Sequence, residues 1–175
     1  MTGGRGKGSV AAMSASKSVL FVCTGNTCRS PMAEALFRKA VEERGDFEVA
    51  SAGVAAYPGD GANPETLRFL ASRGVELNDF ESQPVSAELL ERATHVFAMT
   101  AGHLDALENL FPDFADKFFL VCEFVEIPGR GVAADVPDPI GMGKKAYAEV
   151  GKTLDVAIPS LIAFIDQTWQ GGSSK

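Results

Sequence analysis

The chain has 175 residues, a formal net charge of −7, 46% hydrophobic residues and 22% charged residues. This length and composition are typical of one globular domain with a single core, and they exclude a wholly disordered chain. The acidic balance argues against a general nucleic-acid binder or a membrane-surface protein, and no apolar run reaches the roughly 18 residues of a membrane-spanning helix.

The N-terminal segment differs in composition from the rest of the chain. Residues 1–16 are rich in Gly, Ser and Ala, and their apolar part, VAAM, is too short for the core of a signal peptide. We interpret them as a disordered leader that precedes a folded domain over 17–170 and a flexible tail over 171–175. The chain has three cysteines and no secretory signal. This predicts a protein of the reducing cytoplasm rather than a disulfide scaffold.

Apolar runs alternate with segments of helical periodicity along the rest of the chain. The first run, SVLFVC at 18–23, is continuous and rich in β-formers, as expected for a strand buried on both faces. A helix then follows and ends near Gly45. The further predicted elements are a strand at 47–53, helices at 63–74 and 86–93, a strand at 95–100, a helix at 102–110, a strand at 117–124, a loop at 126–143 and a helix at 144–169. This alternation predicts a single α/β domain with a parallel sheet and helices on both faces.

The stretch VCTGNTCRSP follows the first strand directly, and parallel α/β folds bind ligands at that place. A turn between a strand and a helix leaves backbone amides free, and the helix dipole adds positive charge. Gly25 permits a positive φ, Asn26 tolerates left-handed backbone and can bond to Ser51, and Pro31 fits the first helical position. The turn can therefore close into a nest of amides around an oxyanion. The predicted phosphate-binding residues are Thr24, Gly25, Asn26, Thr27, Cys28, Arg29 and Ser30.

Cys23 and Arg29 bring a nucleophile and a clamp to the same turn. Helix amides and a guanidinium stabilise a thiolate, which is the nucleophilic form of cysteine, and Ser30 can donate a hydrogen bond to it. The planar fork of Arg29 matches two oxygens of a phosphate-like group. Zinc is not favoured, because no second pair of Cys or His completes four ligands, and the nucleotide-binding Gly-x4-Gly-Lys-Ser/Thr motif is absent. His95 and His103 are interpreted as packing or surface residues. The pattern therefore indicates a cysteine nucleophile in an anion nest, with no metal.

Four segments, FVCTGNTCRSPMAEA, SAG at 51–53, FAMT at 97–100 and DVPDPIG at 135–141, closely resemble the low-molecular-weight protein tyrosine phosphatase family. The resemblance covers about residues 18–169. It implies a four-stranded parallel α/β fold and an enzyme that hydrolyses phosphorylated proteins or peptides through a phosphocysteine. Inorganic phosphate is the product, and no cofactor is needed because Arg29 and the amides supply positive charge.

The same resemblance assigns the nucleophile to Cys23, the phosphate clamp to Arg29, support of the thiolate to Ser30 and the general acid to Asp138. The acid assignment also makes chemical sense, because one carboxyl group can protonate the leaving group and then activate water. Asp135 is the alternative acid, although it fits better as a residue that shapes the loop.

Thr27 carries most of the inference about the substrate. Tyrosine-directed members of the family typically have Ile or Val there, and CTGNTCRSP resembles the protein-arginine phosphatase branch. A hydroxyl at the rim can hold water or a guanidinium, and a cleft without aromatic walls suits a phenyl ring poorly. The arginine branch usually has Phe in place of Ile140, so Tyr57 or Phe80 is a candidate replacement wall. We favour phosphoarginine as the substrate, with phosphotyrosine as the alternative.

The remaining cysteines leave further functions open. The motif position of Cys28 suggests a disulfide with Cys23 that would guard the nucleophile against overoxidation, whereas the plainer interpretation is a small buried residue. Arsenate reduction would need additional ordered redox cysteines, and Cys122 is interpreted as buried core. A redox or oxyanion-binding module without turnover is the remaining alternative, but such a module has no use for Asp138.

Overall fold

The computed structural model describes residues 16–169. Its elements are β1 (Lys17–Cys23), α1 (Arg29–Ala40), β2 (Phe47–Gly53), α2 (Pro64–Ser72), α3 (Ala87–Arg92), β3 (His95–Ala98), α4 (Ala101–Leu110), a 3₁₀ helix (Pro112–Lys117), β4 (Phe118–Leu120), β5 (Glu126–Ile127), β6 (Gly131–Val132) and α5 (Lys144–Thr168). The predicted leader, apart from residue 16, and the tail at 171–175 lie outside the described residues.

The main sheet has four parallel strands in the order β2-β1-β3-β4, which confirms the predicted fold class. Side chains of β1 alternate between its two faces. Val19 and Phe21 join a core that includes α1 and α5, whereas Leu20 and Val22 join a second core that includes α3 and α4. Helices therefore cover both faces of the sheet. None of the helices within residues 16–169 is long and apolar enough to cross a membrane.

The strand order places β1 at the point where the chain changes direction across the sheet. From β1 the chain crosses to β2 on one side, and it later returns to β3 on the other side. In open parallel sheets the crevice at such a switch point, beyond the carboxyl ends of the strands, is the usual place for a ligand. Cys23 ends β1, so the residues that follow it lie at this crevice.

The first helix is shorter than predicted and begins earlier. It spans Arg29–Ala40, and after it the chain tightens through i-to-i−3 bonds from Glu42 to Lys39 and from Arg44 to Val41. These turns end the helix before Gly45. Pro31 is the third helical residue rather than the first. It is tolerated there because the first four N–H groups of a helix have no partner within the helix.

The region after residue 117 also differs from its prediction. The fourth strand has only three residues, because Glu123 and Leu120 bond to each other and turn the chain at once. The predicted loop at 126–143 contains a short antiparallel ribbon formed by β5 and β6. The rest of that loop, which includes Asp138, connects the ribbon to α5.

Candidate active site

The loop of residues 24–28, which we call the nest loop, has most of its carbonyl groups turned outward. Carbonyl oxygens of Cys23, Thr24, Thr27 and Cys28 accept hydrogen bonds at 2.8–3.2 Å from Val54 N, Ala55 N, Asn63 N and Thr66 Oγ1 respectively. Within residues 16–169, the amides of the nest loop have no such acceptor. Because these carbonyl groups form hydrogen bonds on the outer side of the loop, its amide N–H groups are free to bind an anion on the inner side.

Asn26 gives the nest loop its shape. Its φ of 55° is left-handed, whereas Gly25 does not have a positive φ, so the expectation for Gly25 is wrong. The Asn26 side chain is fully buried and donates to Ser30 Oγ at 2.8 Å and to Ser51 Oγ at 2.9 Å. Its oxygen accepts from Gln83 N at 2.9 Å. These bonds stabilise the uncommon backbone conformation, and they confirm the expected contact with Ser51.

A buried carboxyl group extends this network. Ser51 Oγ donates to Glu34 Oε1 at 3.1 Å, and Arg38 lies 3.5 Å from the other Glu34 oxygen. Burial raises the pKa of Glu34, while Arg38 and the bond from Ser51 act in the opposite direction. Every polar side chain of this network has a partner, so the network fixes α1 relative to β2 and to the nest loop.

Gly53 explains why the SAG segment lies beside the nest loop. A Cβ atom at Gly53 would lie 2.4 Å from Thr24 O and 3.0 Å from Asn26 N. No side chain fits between backbones this close. The end of β2 therefore supports the nest loop from behind, through a glycine that leaves room for it.

Cys23 directly precedes the nest loop and contacts Ser30, the residue that follows Arg29. Cys23 Sγ is 2.9 Å from Ser30 Oγ. Ser30 Oγ accepts from Asn26, and either Ser30 or the Cys23 thiol can donate in the bond between them; when Cys23 is a thiolate, only the Ser30 hydroxyl can donate. Arg29 is 5% exposed and donates through Nη1 to Val136 O at 3.1 Å. A thiolate in this arrangement would be stabilised by a hydroxyl, by helix amides and by a guanidinium.

Arg29 also connects the nest to the loop that carries Asp138. Arg29 Nη2 lies 3.8 Å from Asp138 Oδ2, so the predicted clamp and acid are within ion-pair distance. Asp138 is exposed at 55%, and its other oxygen accepts from Ile140 N at 3.1 Å. Asp135 instead accepts from Ala101 N at 2.9 Å, at the start of α4. This places Asp138 at the mouth of the site and Asp135 at the base of its loop.

The sequence that builds this site matches a known family over nearly the whole chain. The profile of the family described as low molecular weight phosphotyrosine protein phosphatase matches residues 18–170. The chain belongs to this family. It is therefore a cysteine-dependent phosphoprotein phosphatase, which confirms the predicted enzyme class.

Relatives of this chain in the phosphatase family are named for two different phosphorylated residues, arginine and tyrosine. The chain is 40% identical over 144 residues to a protein-arginine-phosphatase of Bacillus subtilis (strain 168), covering 82% of this chain and 93% of that protein. It is 38% identical over 159 residues to a low molecular weight protein-tyrosine-phosphatase of Streptomyces coelicolor, covering 87% and 96%.

A solved structure of the YwlE arginine phosphatase, a cysteine-to-serine mutant with a phosphorylated active-site serine, superposes with a TM-score of 0.77 at 36% identity, covering 86% and 97%. A phosphorylated residue at the mutated cysteine supports a phosphocysteine mechanism in this family.

The structure brings most of the predicted site residues of this phosphatase together. Cys23 contacts Ser30, the neighbouring Arg29 pairs with Asp138, and Thr27 is half-buried in the nest loop. Ile140 is 58% exposed on the Asp138 loop. Among residues 16–169, no group of three or more His, Cys, Asp or Glu is placed to hold a metal ion.

The candidate aromatic walls lie on loops near the nest. Tyr57 is 78% exposed and belongs to the segment after β2. Two bonds tie that segment to the nest loop, from Ala55 N to Thr24 O and from Asn63 N to Thr27 O. Phe80 is half-buried in the segment after α2. The role of Tyr57 or Phe80 as a wall of the cleft stays a prediction.

His103 is the residue of this region that sequence reasoning missed. It is 7% exposed on α4, and its Nε2 lies 2.7 Å from Thr24 Oγ1 in the nest loop. The available signal was its position five residues after β3, because residues just beyond the carboxyl ends of parallel strands meet at the ligand crevice. His95, at the opposite end of β3, is buried in the core as interpreted.

Proposed function

We propose that this phosphatase hydrolyses phosphoarginine side chains of proteins through a phosphocysteine on Cys23. The observation that carries the proposal is the nest itself, in which Cys23 Sγ lies 2.9 Å from Ser30 Oγ and the adjacent Arg29 lies 3.8 Å from the exposed carboxyl group of Asp138. We place the activity in the cytoplasm, because a reducing compartment keeps Cys23 as a free thiol or thiolate. The products are dephosphorylated protein and inorganic phosphate.

The reaction has two steps. In the first, Cys23 Sγ attacks phosphorus, the bond from phosphorus to the guanidino nitrogen breaks, and Asp138 gives its proton to that nitrogen. In the second, Asp138 takes a proton from water, the water attacks phosphorus, and the phosphorus–sulfur bond breaks to return the thiolate. Arg29 and the loop amides hold the phosphoryl oxygens throughout, so the positive charge that phosphoryl transfer needs comes from the chain.

The residue types of the nest loop favour a substrate with a polar leaving group. Thr24 and Thr27 both carry hydroxyl groups in the nest loop, Thr24 is exposed and Thr27 half-buried, and the Thr27 carbonyl accepts from Asn63 N at 2.8 Å. A guanidinium has several N–H donors that need acceptors, whereas a phenyl ring gains most from apolar and aromatic walls. Phosphotyrosine remains the second candidate, because the Streptomyces coelicolor relative, named a protein-tyrosine-phosphatase, is similar over nearly its full length.

The change Thr27→Ile tests the substrate proposal. We expect it to lower kcat/KM for phosphoarginine peptides by about tenfold and to raise it for phosphotyrosine peptides, since one hydrogen bond to a charged group is lost and apolar contact is gained. The measurement compares both peptides, of otherwise identical sequence, on the wild type and the variant.

Thr27→Val is the matched control for this comparison, because it keeps the branched shape and removes only the hydroxyl. We expect Thr27→Val to lower kcat/KM for the phosphoarginine peptide. We expect it to raise kcat/KM for the phosphotyrosine peptide less than Thr27→Ile does. A wild type that prefers phosphotyrosine, or a preference unmoved by Thr27→Ile, would show that the substrate proposal is wrong.

We also propose that Cys28 guards Cys23. Peroxide would oxidise the Cys23 thiolate to a sulfenic acid, and the Cys28 thiol would displace water from it to form a disulfide that a thiol reductant can reverse. Cys28 is buried beside the nest, and its sulfur lies 3.4 Å from Tyr147 OH. Both cysteines are free thiols in the structure, as the reduced state of this cycle requires.

Cys28→Ser is expected to lose the reversibility of oxidation while it keeps most of the activity before treatment. After a pulse of peroxide and then excess thiol, the wild type should regain most of its activity, whereas Cys28→Ser should stay inactive because its Cys23 proceeds to irreversible acids. Cys122→Ser is the control, since burial raises the pKa of the Cys122 thiol to about 11 and keeps it unreactive. Equal recovery of Cys28→Ser and wild type would refute the guard.

A further inference from the structure

His103 joins the N-terminus of α4 to the nest loop. Its Nδ1 lies 3.0 Å from Thr100 Oγ1, and its Nε2 lies 2.7 Å from Thr24 Oγ1. Thr100 is the residue that caps α4, and Thr24 directly follows the nucleophile. A side chain with both ring nitrogens engaged in this way is held in one orientation, and it contacts the nest loop from a different element of the fold.

The helix cap is the basis on which we infer the direction of these hydrogen bonds. Thr100 Oγ1 accepts from His103 N at 3.2 Å, and its own proton can donate to Nδ1. In the tautomer that completes this chain of bonds, the ring carries its proton on Nε2 and donates to Thr24 Oγ1. Burial and the nearby cation of Arg29 lower the pKa of His103 to about 4, against the smaller opposing effects of Asp135 and Asp138. The ring is therefore neutral near pH 7, with a single N–H to give.

We propose that His103 is a positioning residue that turns the Thr24 hydroxyl proton toward the phosphoryl group. Thr24 Oγ1 accepts from Nε2, so its own proton is free for another acceptor. Thr24 is exposed at the mouth of the site, and its carbonyl is fixed by Ala55 N at 2.9 Å. The chain of donors runs from Thr100 through His103 to Thr24, and it would end on an oxygen of the bound oxyanion as one more donor beside Arg29 and the amides.

This inference rests on the proposed function for the identity of the anion, but it can be tested without turnover. Tungstate, a tetrahedral oxyanion, serves as the probe, and calorimetry measures its affinity for the full chain. The variants are His103→Leu, Thr24→Val and the double variant. We expect each single change to weaken tungstate binding by about tenfold, and the double variant to be no weaker than either, because both remove one and the same donor.

Conservative replacements distinguish positioning from packing. The amide of His103→Gln can donate to Thr24 from nearly the same place, so this variant should regain most of the affinity, whereas a packing role would not be restored by a smaller polar side chain. We expect the variants to rank in the same order by kcat/KM for an aryl phosphate as they do by affinity for tungstate. If His103→Leu fails to fold, Thr24→Val and His103→Gln still test the proposal, since Thr24 is exposed and the glutamine keeps the donor.

His95→Leu is the matched control. His95 is also buried, and its Nδ1 also bonds to a threonine, at 2.8 Å from Thr94 Oγ1, but it begins β3 at the end of the sheet opposite the nest. We expect His95→Leu to bind tungstate as the wild type does. Additive losses in the double variant, or unchanged binding in Thr24→Val, would overturn the inference. A wild type that binds tungstate but hydrolyses no phosphate ester or phosphoarginine would instead contradict the proposed function.

Discussion

Replacement of Cys23 by serine is expected to lower the hydrolysis of an aryl phosphate by about 10⁴-fold or more, as the removal of a covalent nucleophile does in other enzymes. The reason is the chemistry of sulfur, which is a better nucleophile and a better leaving group than a serine hydroxyl in the same place. The Ser30 hydroxyl, 2.9 Å from Cys23 Sγ, can donate a hydrogen bond to the sulfur when it departs from phosphorus. The measurement is the steady-state release of the aryl alcohol by purified wild type and variant.

Two further variants make the result specific to Cys23. Cys122→Ser changes a cysteine that is equally buried but lies on the chain after β4, and it is expected to keep the activity of the wild type. Ser30→Ala should give an intermediate loss, because it removes the hydroxyl from the sulfur and leaves Arg29 in place. Thermal melting verifies that each variant is folded. Activity that survives Cys23→Ser would assign the nucleophile to another residue and end the phosphocysteine proposal.

The sequence predicted the bounds of β1 and β2 to within one residue. β1 is buried on both faces from Val19 to Cys23, so an apolar run marks it, and β2 spans the predicted residues. The end of β4 could not be found in this way. Val121 and Cys122 remain buried after the strand has ended, because the chain turns into the core there. A buried strand and a buried turn both require apolar residues, so hydrophobicity alone does not distinguish them.

The site shows the same division between local and distant determinants. The motif around Cys23 lies within one turn, so its residue types predicted the nest. The left-handed residue, in contrast, is Asn26 rather than Gly25, and it is stabilised by Ser51 and Gln83, which come from distant segments. His103 reaches Thr24 across 79 positions of sequence. Such a contact depends on the order of the strands in the sheet, which the hydrophobic periodicity of the sequence does not predict.

The loop of Asp138 has a fixed base and an exposed tip. At the base, Val136 is fully buried and donates to Met99 O at 2.9 Å, and Asp135 accepts from Ala101 N. Beyond the base, Asp138 and Ile140 are exposed, and a groove of about 310 Å³ borders Asp138. A carboxyl group in this place can approach the leaving group of a protein substrate, while the bonds at the base keep it within 3.8 Å of Arg29.

Asp138→Asn is expected to lower kcat/KM by about 10²- to 10⁴-fold for substrates with a basic leaving group, which is the usual contribution of a general acid. For an aryl phosphate whose leaving group is strongly acidic, the loss in the first step should be much smaller, because that group departs without a proton. Phosphoarginine should be the most sensitive substrate, since a guanidino nitrogen cannot leave as an anion. The measurement is kcat/KM, which reports the first step without hydrolysis of the phosphocysteine, for the wild type and the variant over a series of aryl phosphates with leaving groups of increasing pKa.

Asp135→Asn is the matched control, because both residues lie in the same loop and only one is proposed to move a proton. The amide oxygen introduced by Asp135→Asn can still accept from Ala101 N, so the loop should keep its position and kcat/KM should not depend more steeply on the leaving group. For Asp138→Asn the dependence should become steep, since the proton no longer offsets the charge that develops on the departing atom. If the steep dependence appeared in Asp135→Asn instead, the acid would be Asp135, and Asp138 would serve Arg29 as an ion-pair partner alone.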